Sequence, residues 1–147
     1  MGMRSSFNDE DNICIYDRLL NEWLKTNKDE NFDCLRDWYK ENKKFGFEMM
    51  DGWKTQGYWY RETVIMLKLL ERFMVPGTGT GYANFTYEEG QPFSFHLDYE
   101  QRKISLHYVP LEWETMEFEL NAKEERKIHL DRKWKKRLEA QRVLDVL

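Results

Sequence analysis

Apolar residues recur every three or four positions in the first half of the chain, which is the spacing of helices that pack one face on a core. The first series predicts a helix capped by Asp9 or Asp11, and it consists of Ile13, Tyr16, Leu20, Trp23 and Leu24. The second series predicts a short helix capped by Asp29 or Asn31, and it consists of Phe32, Leu35, Trp38 and Tyr39. We expect Cys34 to be a small buried thiol beside this second face.

The segment from Tyr60 to Met74 is apolar around most of a helical circumference. The residues that we expect to be clearly exposed in it are Arg61, Lys68, Glu71 and Arg72. A helix with so little polar surface is typical of the buried centre of a domain. The preceding segment, 43–60, contains Gly46, Gly52 and Gly57 and is predicted to be a long loop.

After Gly81 the hydrophobic period changes from 3.6 to 2, which predicts a four-stranded antiparallel meander with one buried face. The alternating residues are Phe85 and Tyr87, then Phe93, Phe95 and Leu97, then Ile104, Leu106 and Tyr108, then Met116, Phe118 and Leu120. A C-terminal helix is predicted from about 131, where Asp131 can cap a helix that begins at Arg132. Residues 122–130 remain open between a helix, started by a capping box of Asn121 and Glu124, and a fifth strand through Ile128 and Leu130. We therefore expect one α+β domain over residues 1–147, with a helical half over about 9–75 and the sheet and last helix over about 82–147.

The sequence "VPGTGTG", residues 75–81, has the glycine content of a phosphate-binding loop. A P-loop needs a lysine and a helix after its last glycine, whereas here Gly81 leads into a strand. The predicted role is structural: Pro76 cannot continue the preceding helix, and Gly77 or Gly79 can adopt a positive φ. We expect no cofactor.

Composition indicates where the protein is located rather than what it does. The chain has 147 residues, a net charge of −4 and only two cysteines, which is unlike a small disulfide-stabilised secreted scaffold. Residues 1–12 lack the apolar stretch of a secretory signal, and the longest apolar run is far too short to span a bilayer. We therefore expect a cytoplasmic protein with reduced thiols.

Candidate catalytic chemistry is sparse. No G-x-S-x-G motif is present, and neither cysteine has a sequence setting that suggests an activated nucleophile, so an enzyme is disfavoured. If Leu97 pairs with Ile104, Ser94 faces His107, Ser105 faces His96, and the two histidines become diagonal neighbours. Asp98 would share that face, which makes His96 and His107 weak candidates for a metal site in a small metal-dependent enzyme.

Charge is distributed unevenly between the sheet and the last helix. Residues 82–120 carry eight acidic against two basic residues, and the acidic sheet face is represented by Glu112, Glu114, Glu117 and Glu119. Residues 121–147 carry nine basic against five acidic residues, and the densest basic run is Arg132, Lys133, Trp134, Lys135, Lys136 and Arg137. Basic residues around an aromatic ring suit single-stranded nucleic acid. The structural alternative is that Trp134 and Leu138, which are i,i+4 partners, pack on the sheet.

Aromatic residues are concentrated in the segment from Asp51 to Glu62. Trp53, Tyr58 and Trp59 are candidates for a partner contact, because Trp and Tyr dominate binding hot spots. The preferred hypothesis is a non-catalytic protein-binding module, an inhibitor or immunity-type protein that blocks a partner by steric occlusion. This is a compositional analogy with immunity proteins and phage-encoded inhibitors, which are often compact, acidic and aromatic-rich. The acidic sheet edge would steer a basic partner.

Overall fold

The computed structural model describes residues 3–6, 13–45, 61–87, 92–108, 114–116 and 119–146. These residues form helices and an antiparallel sheet, which confirms the α+β class. The described helices are α1 (Asp17–Thr26), α2 (Asp33–Asn42), α3 (Arg61–Arg72), α4 (Ala122–Lys127) and α5 (Arg132–Val146). The described strands are β1 (Met3–Ser6), β2 (Thr80–Tyr87), β3 (Pro92–Asp98), β4 (Lys103–Tyr108) and β5 (Glu114–Met116).

The sheet has five strands over the described residues, where the sequence predicted four. Their order is β1-β2-β3-β4-β5, and every neighbouring pair is antiparallel. The sequence did not predict β1, whose sequence "MRSS" has too few apolar residues to show an alternating pattern. The predicted fourth strand was misplaced, since β5 shares only Met116 with it and Leu120 lies in no strand. The described parts of the two edge strands, β1 and β5, are four and three residues long.

The β3–β4 hairpin has the register that was supposed from the sequence. Leu97 lies opposite Ile104, Ser94 opposite His107, and His96 opposite Ser105. On the other face Phe95, Leu97 and Ile104 are buried in the core. The hairpin thus fixes which residues face the helices, because side chains alternate between the two faces of a strand.

The first helix begins later than the sequence predicted. Its N-cap is Tyr16, so neither Asp9 nor Asp11, both outside the described residues, caps it. Ile13 and Ile15 are buried in an extended segment, and Ile15 forms an antiparallel bridge with Met74. Their spacing of two suits this extended segment as well as a helix, so periodicity alone misplaced the boundary.

The second helix is preceded by a turn of 3-10 helix, Glu30–Phe32, which Asp29 caps by accepting the Asn31 N–H. Phe32 and Leu35 are fully buried, as predicted. The expectation of a buried Cys34 is wrong, since this residue is exposed beside the buried face. Its Sγ still contacts Met66 Sδ at 3.7 Å, and partial desolvation raises the pKa of the thiol.

The prediction of a buried central helix is confirmed for α3. Its described apolar side chains are all at most 5% exposed: Val64, Ile65, Met66, Leu67, Leu69 and Leu70. Lys68, Glu71 and Arg72 are only half-buried, where exposure was expected. Lys68 pairs with Glu71 at 3.2 Å, and Glu71 also accepts the Ile104 N–H at 2.9 Å, so these polar groups attach the helix to strand β4.

The glycine-containing segment joins the helical part of the chain to the sheet. Helix α3 ends at Arg72 because Phe73, Met74 and Val75 form backbone contacts with the segment 14–16. The helix therefore stops before Pro76 is reached. Gly79 has φ +87°, as the sequence predicted for Gly77 or Gly79, and its carbonyl accepts the Tyr99 N–H.

The alternatives for residues 122–130 are decided in favour of a helix. Asn121 and Glu124 form the predicted capping box at the start of α4. Ile128 and Leu130 are buried in a non-strand connection, so burial rather than strand formation explains their alternation. Asp131 then starts α5 by accepting the Trp134 N–H at 3.0 Å.

Candidate functional site

Helix α5 is attached to the domain by one face only. Trp134 and Leu138 are its buried residues, 8% and 2% exposed, as the structural alternative in the sequence expected. The Arg137 guanidinium lies 4.5 Å from the centroid of the Trp134 ring and forms an ion pair with Glu22. At the far end of the helix, the Tyr16 hydroxyl donates to Asp145 at 2.6 Å.

The basic run divides between core and surface. Trp134 is buried and Arg137 is held over its ring, so the indole face that would stack on a nucleic-acid base is already covered. The remaining four residues of the run are exposed: Arg132, Lys133, Lys135 and Lys136. The structure therefore presents the cations of this run to solvent without its aromatic ring.

One exposed stripe extends along the whole length of α5. With 100° between successive residues, positions 132, 133, 136, 139, 140, 143, 144 and 146 lie on the side of the helix away from Trp134 and Leu138. The part of this side that we call the α5 stripe is basic at its start and apolar at its end, is flanked by Glu139, and consists of Arg132, Lys133, Lys136, Ala140, Val143 and Leu144. Val143 is 51% and Leu144 is 64% exposed, and the neighbouring Val146 is 76% exposed.

A groove lies between α3, the β3–β4 turn and α5. Its volume is about 500 Å³, and its lining consists of Glu71, Arg72, Gln101, Arg102, Leu130, Lys135, Leu138, Glu139 and Arg142. A neighbouring depression of about 440 Å³ shares Leu130, Lys135 and Glu139 with this groove. Four cations and two carboxylates line the groove, above the buried side chains of Leu130 and Leu138.

Two of the charged groups in the groove are engaged in holding the fold together. Glu71 binds Lys68 and the Ile104 N–H, as described above. Arg72 donates to the Ile128 carbonyl oxygen and pairs with Glu125, which attaches α3 to α4. The charge open to a ligand therefore comes from Arg102, Lys135 and Arg142, opposed by the exposed Glu139.

The histidine pair has the backbone placement that the sequence supposed. His96 and His107 lie diagonally on one face of the β3–β4 hairpin. Asp98, the third candidate, accepts the Gln101 N–H at 2.9 Å and so stabilises the turn. Among the described residues, no group of three His, Cys, Asp or Glu side chains is placed to hold a metal ion.

The predicted aromatic and acidic contact residues fall mostly outside the described part of the chain. Trp53, Tyr58 and Trp59 belong to residues 46–60, and Glu112 and Glu117 also lie outside it. Glu114 is part of β5, and Glu119 is exposed just before α4. The hypothesis built on them stays a prediction.

The sequence did not reveal the groove or the apolar end of α5. Arg102 and Arg142 come from a turn and a helix that are distant in sequence, so no spacing connects them. Val143 and Leu144 follow Trp134 and Leu138 in the chain, and only the turn of the helix separates the buried pair from the exposed one. A helical projection of the residues from 131 onward separates Val143 and Leu144 from Trp134 and Leu138, and this separation was the available signal.

Comparison with known proteins finds no family model, curated protein or solved structure that matches this chain. Within the described residues, every helix is too short or too polar to cross a membrane.

Proposed function

We propose that this protein is a non-catalytic binding module that recognises a partner protein through the α5 stripe. The observation that supports this proposal is the exposure of Val143 and Leu144 on a helix whose opposite face is buried. A contiguous exposed apolar patch with polar residues at its rim is typical of an interaction site, and Val143 and Leu144 lie beside the exposed Val146. The occupant that we propose is a folded protein whose docking surface combines an apolar patch with acidic side chains.

The layout of the stripe explains this choice of partner. An exposed helix can dock into a groove on its partner that holds the apolar residues of the helix. In α5 these residues are Val143 and Leu144, at the C-terminal end of the stripe. The basic residues Arg132, Lys133 and Lys136 precede them on the same side of α5 and would meet acidic groups. Complementary charge of this kind speeds association and selects the partner. Inhibition by steric occlusion is the mechanism that such a module would use.

Nucleic acid is the competing ligand, because four cations of the basic run are exposed. Two observations favour a protein partner instead. The Trp134 ring is buried under Arg137, and Val143 and Leu144 have no counterpart in a phosphate backbone. A nucleic-acid complex would depend steeply on salt, whereas an apolar contact would not.

The test compares Leu144→Ser with Ala140→Ser, a substitution on the same stripe that removes little apolar surface. A partner captured by the wild-type protein is purified, and its affinity for each variant is measured by calorimetry. We expect Leu144→Ser to weaken binding by about tenfold, as loss of a buried leucine contact implies, with an unchanged circular dichroism spectrum. Ala140→Ser should bind within about twofold of wild type.

Two results would contradict the proposal. One is equal affinity of the partner for Leu144→Ser and the wild-type protein. The other is a gel shift of DNA or RNA at low salt that Lys135→Glu with Lys136→Glu abolishes, while no protein partner binds. The second result would establish the nucleic-acid alternative.

A further inference from the structure

We propose that the groove between α3, the β3–β4 turn and α5 binds the phosphate or carboxylate group of a small organic anion. Arg102, Lys135 and Arg142 would contact the oxyanion, and Leu130 and Leu138 would contact its apolar part. This inference does not rest on the proposed function, because it concerns another side of α5.

The first argument is the arrangement of the cations. Three elements each bring at least one cation to the groove: α3 supplies Arg72, the β3–β4 turn supplies Arg102, and α5 supplies Lys135 and Arg142. Neither Arg102 nor Lys135 has an ion-pair partner among the described residues. These like charges repel, and Glu139 offsets only part of that repulsion, so a bound anion would stabilise this arrangement.

Arg142 provides the second argument. One of its terminal nitrogens donates to the Arg72 carbonyl oxygen at 3.0 Å, which holds the guanidinium in place. Its Nε is buried and has no hydrogen-bond partner among the described residues. Burial, followed by the positive charge of Arg102, lowers the pKa of Arg142. An oxyanion in the groove would add negative charge beside this guanidinium and so stabilise its charged form.

The acidic groups near the groove are not well placed to replace that anion. Glu71 is occupied by Lys68 and the Ile104 N–H, and Asp145 accepts the Tyr16 hydroxyl. Glu139 is exposed on α5, one turn before Arg142, where it favours the charged form of the guanidinium. Its negative charge offsets only part of the charge of Arg102, Lys135 and Arg142.

The size and the floor of the groove indicate an organic ligand rather than a bare ion. A volume of about 500 Å³ lies within the range of small-molecule sites. Leu130 and Leu138 are 6% and 2% exposed, and they give the groove an apolar floor. A ligand that carries an oxyanion on a ring or a short chain uses both features.

The turn that carries Arg102 presents it in an unusual conformation. Arg102 has φ +53°, a left-handed conformation that most side chains disfavour by about 1 kcal/mol. The turn is stabilised by Asp98, which accepts the Gln101 N–H, and by Tyr99, which donates to Gly79. Arg102 therefore enters the groove from a turn that has two anchors of its own.

The experiment titrates the full chain with phenyl phosphate, inorganic phosphate and benzoate in about 0.1 M sodium chloride, where the Debye length is about 10 Å, and follows binding by calorimetry. Phenyl phosphate should bind most tightly, because it uses the cations and the apolar floor together. Comparison of inorganic phosphate with benzoate shows whether the groove prefers a phosphate group or a carboxylate group. Arg102→Ala should weaken the preferred anion by about tenfold, which corresponds to one lost charge-assisted hydrogen bond.

The matched control is Lys133→Ala. Like Arg102→Ala it removes one positive charge, but Lys133 does not line the groove. It should change the affinity by less than about twofold, since screening by salt leaves only short-range contacts strong. Arg102 and Lys135 are both exposed, so Arg102→Ala and Lys135→Ala should keep the fold. Equal weakening by Arg102→Ala and Lys133→Ala, or no heat with any of the three anions, would overturn the proposal.

Discussion

The two longest described helices, α3 and α5, use charged residues in opposite ways. On α3, apolar side chains are buried around most of the helix, and Glu71 and Arg72 bind groups of β4 and α4. On α5, only Trp134 and Leu138 are buried, and most of the basic run is exposed. Charge on α3 therefore serves attachment, whereas on α5 Arg137, Arg142 and Asp145 serve attachment and most of the remaining charge is exposed to solvent.

The largest expected difference in stability comes from making the same substitution, leucine to alanine, once on each helix. Leu69→Ala should reduce the free energy of unfolding by about 4 kcal/mol, because Leu69 is completely buried and a cavity remains. Leu144→Ala should change it by no more than about 0.5 kcal/mol, because Leu144 is 64% exposed. Urea unfolding measures both values, and similar losses for the two variants would remove the distinction between the helices.

Within α5, neighbouring substitutions separate the buried face from the exposed one. Trp134→Ala should cost about 3 kcal/mol, since it removes a buried ring together with the partner of Arg137. Lys133→Ala, one residue earlier, should have an effect of at most about 0.5 kcal/mol. A fully stable Trp134→Ala variant would mean that the indole is available to a ligand after all.

A smaller effect is expected from the polar link between α3 and the sheet. Glu71→Ala should cost about 2 kcal/mol, because it leaves the Ile104 N–H without its acceptor. Glu71→Gln retains a side-chain oxygen and should cost about 1 kcal/mol or less. The control is Glu139→Ala, which removes a glutamate from the exposed side of α5. Thermal unfolding of the three variants shows whether the position of the glutamate, rather than its charge, determines the loss of stability. If Glu139→Ala is as damaging as Glu71→Ala, the contrast does not hold.

The smallest expected effect concerns the last attachment of α5, the hydrogen bond from Tyr16 to Asp145. Tyr16→Phe should cost about 0.5 kcal/mol at neutral pH, because the bond is exposed to solvent. Burial and the bond to Asp145 raise the pKa of Tyr16 above its ordinary value of 10.0. The contribution is therefore complete below pH 10 and is lost as the pH rises through the higher pKa of the folded state.

Melting temperatures of wild type and Tyr16→Phe across that pH range test this assignment. The difference between them should be constant from pH 7 to 9 and should shrink above the ordinary tyrosine pKa. A difference that stays constant to about pH 11 would show that the hydroxyl does not titrate as the bond to Asp145 requires.

Local patterns predicted those parts of the fold that depend on neighbouring residues. The capping box of Asn121 and Glu124, the cap at Asp131 and the buried face of α3 each follow from short-range spacing. The sequence did not predict that Ile13 and Ile15 are extended, because the partner of Ile15 is Met74, far along the chain. Strand β1 was missed for the same reason, since it is defined by its pairing with β2.

The candidate site was predicted only in part, for a related physical reason. The basic run was visible as a sequence motif, but which of its members are exposed depends on the side of α5 that meets the core. The groove needs Arg102 and Arg142 side by side, and that proximity is produced by the packing of α5 near the β3–β4 turn. Long-range packing brings the groove residues together, so a single sequence contains little direct signal for the groove.

The pairing of β1 has a consequence for the order in which the chain folds. Strands β2, β3 and β4 pair with their neighbours in sequence, so short turns can form these hairpins early. Strand β1 instead pairs Ser6 with Asn84 and must close a loop that contains α1, α2 and α3. Closing so long a loop costs entropy before any hydrogen bond of that pair is gained. We therefore expect β1 to join last, so that the sheet edge formed by β2 stays open to other chains until folding is complete.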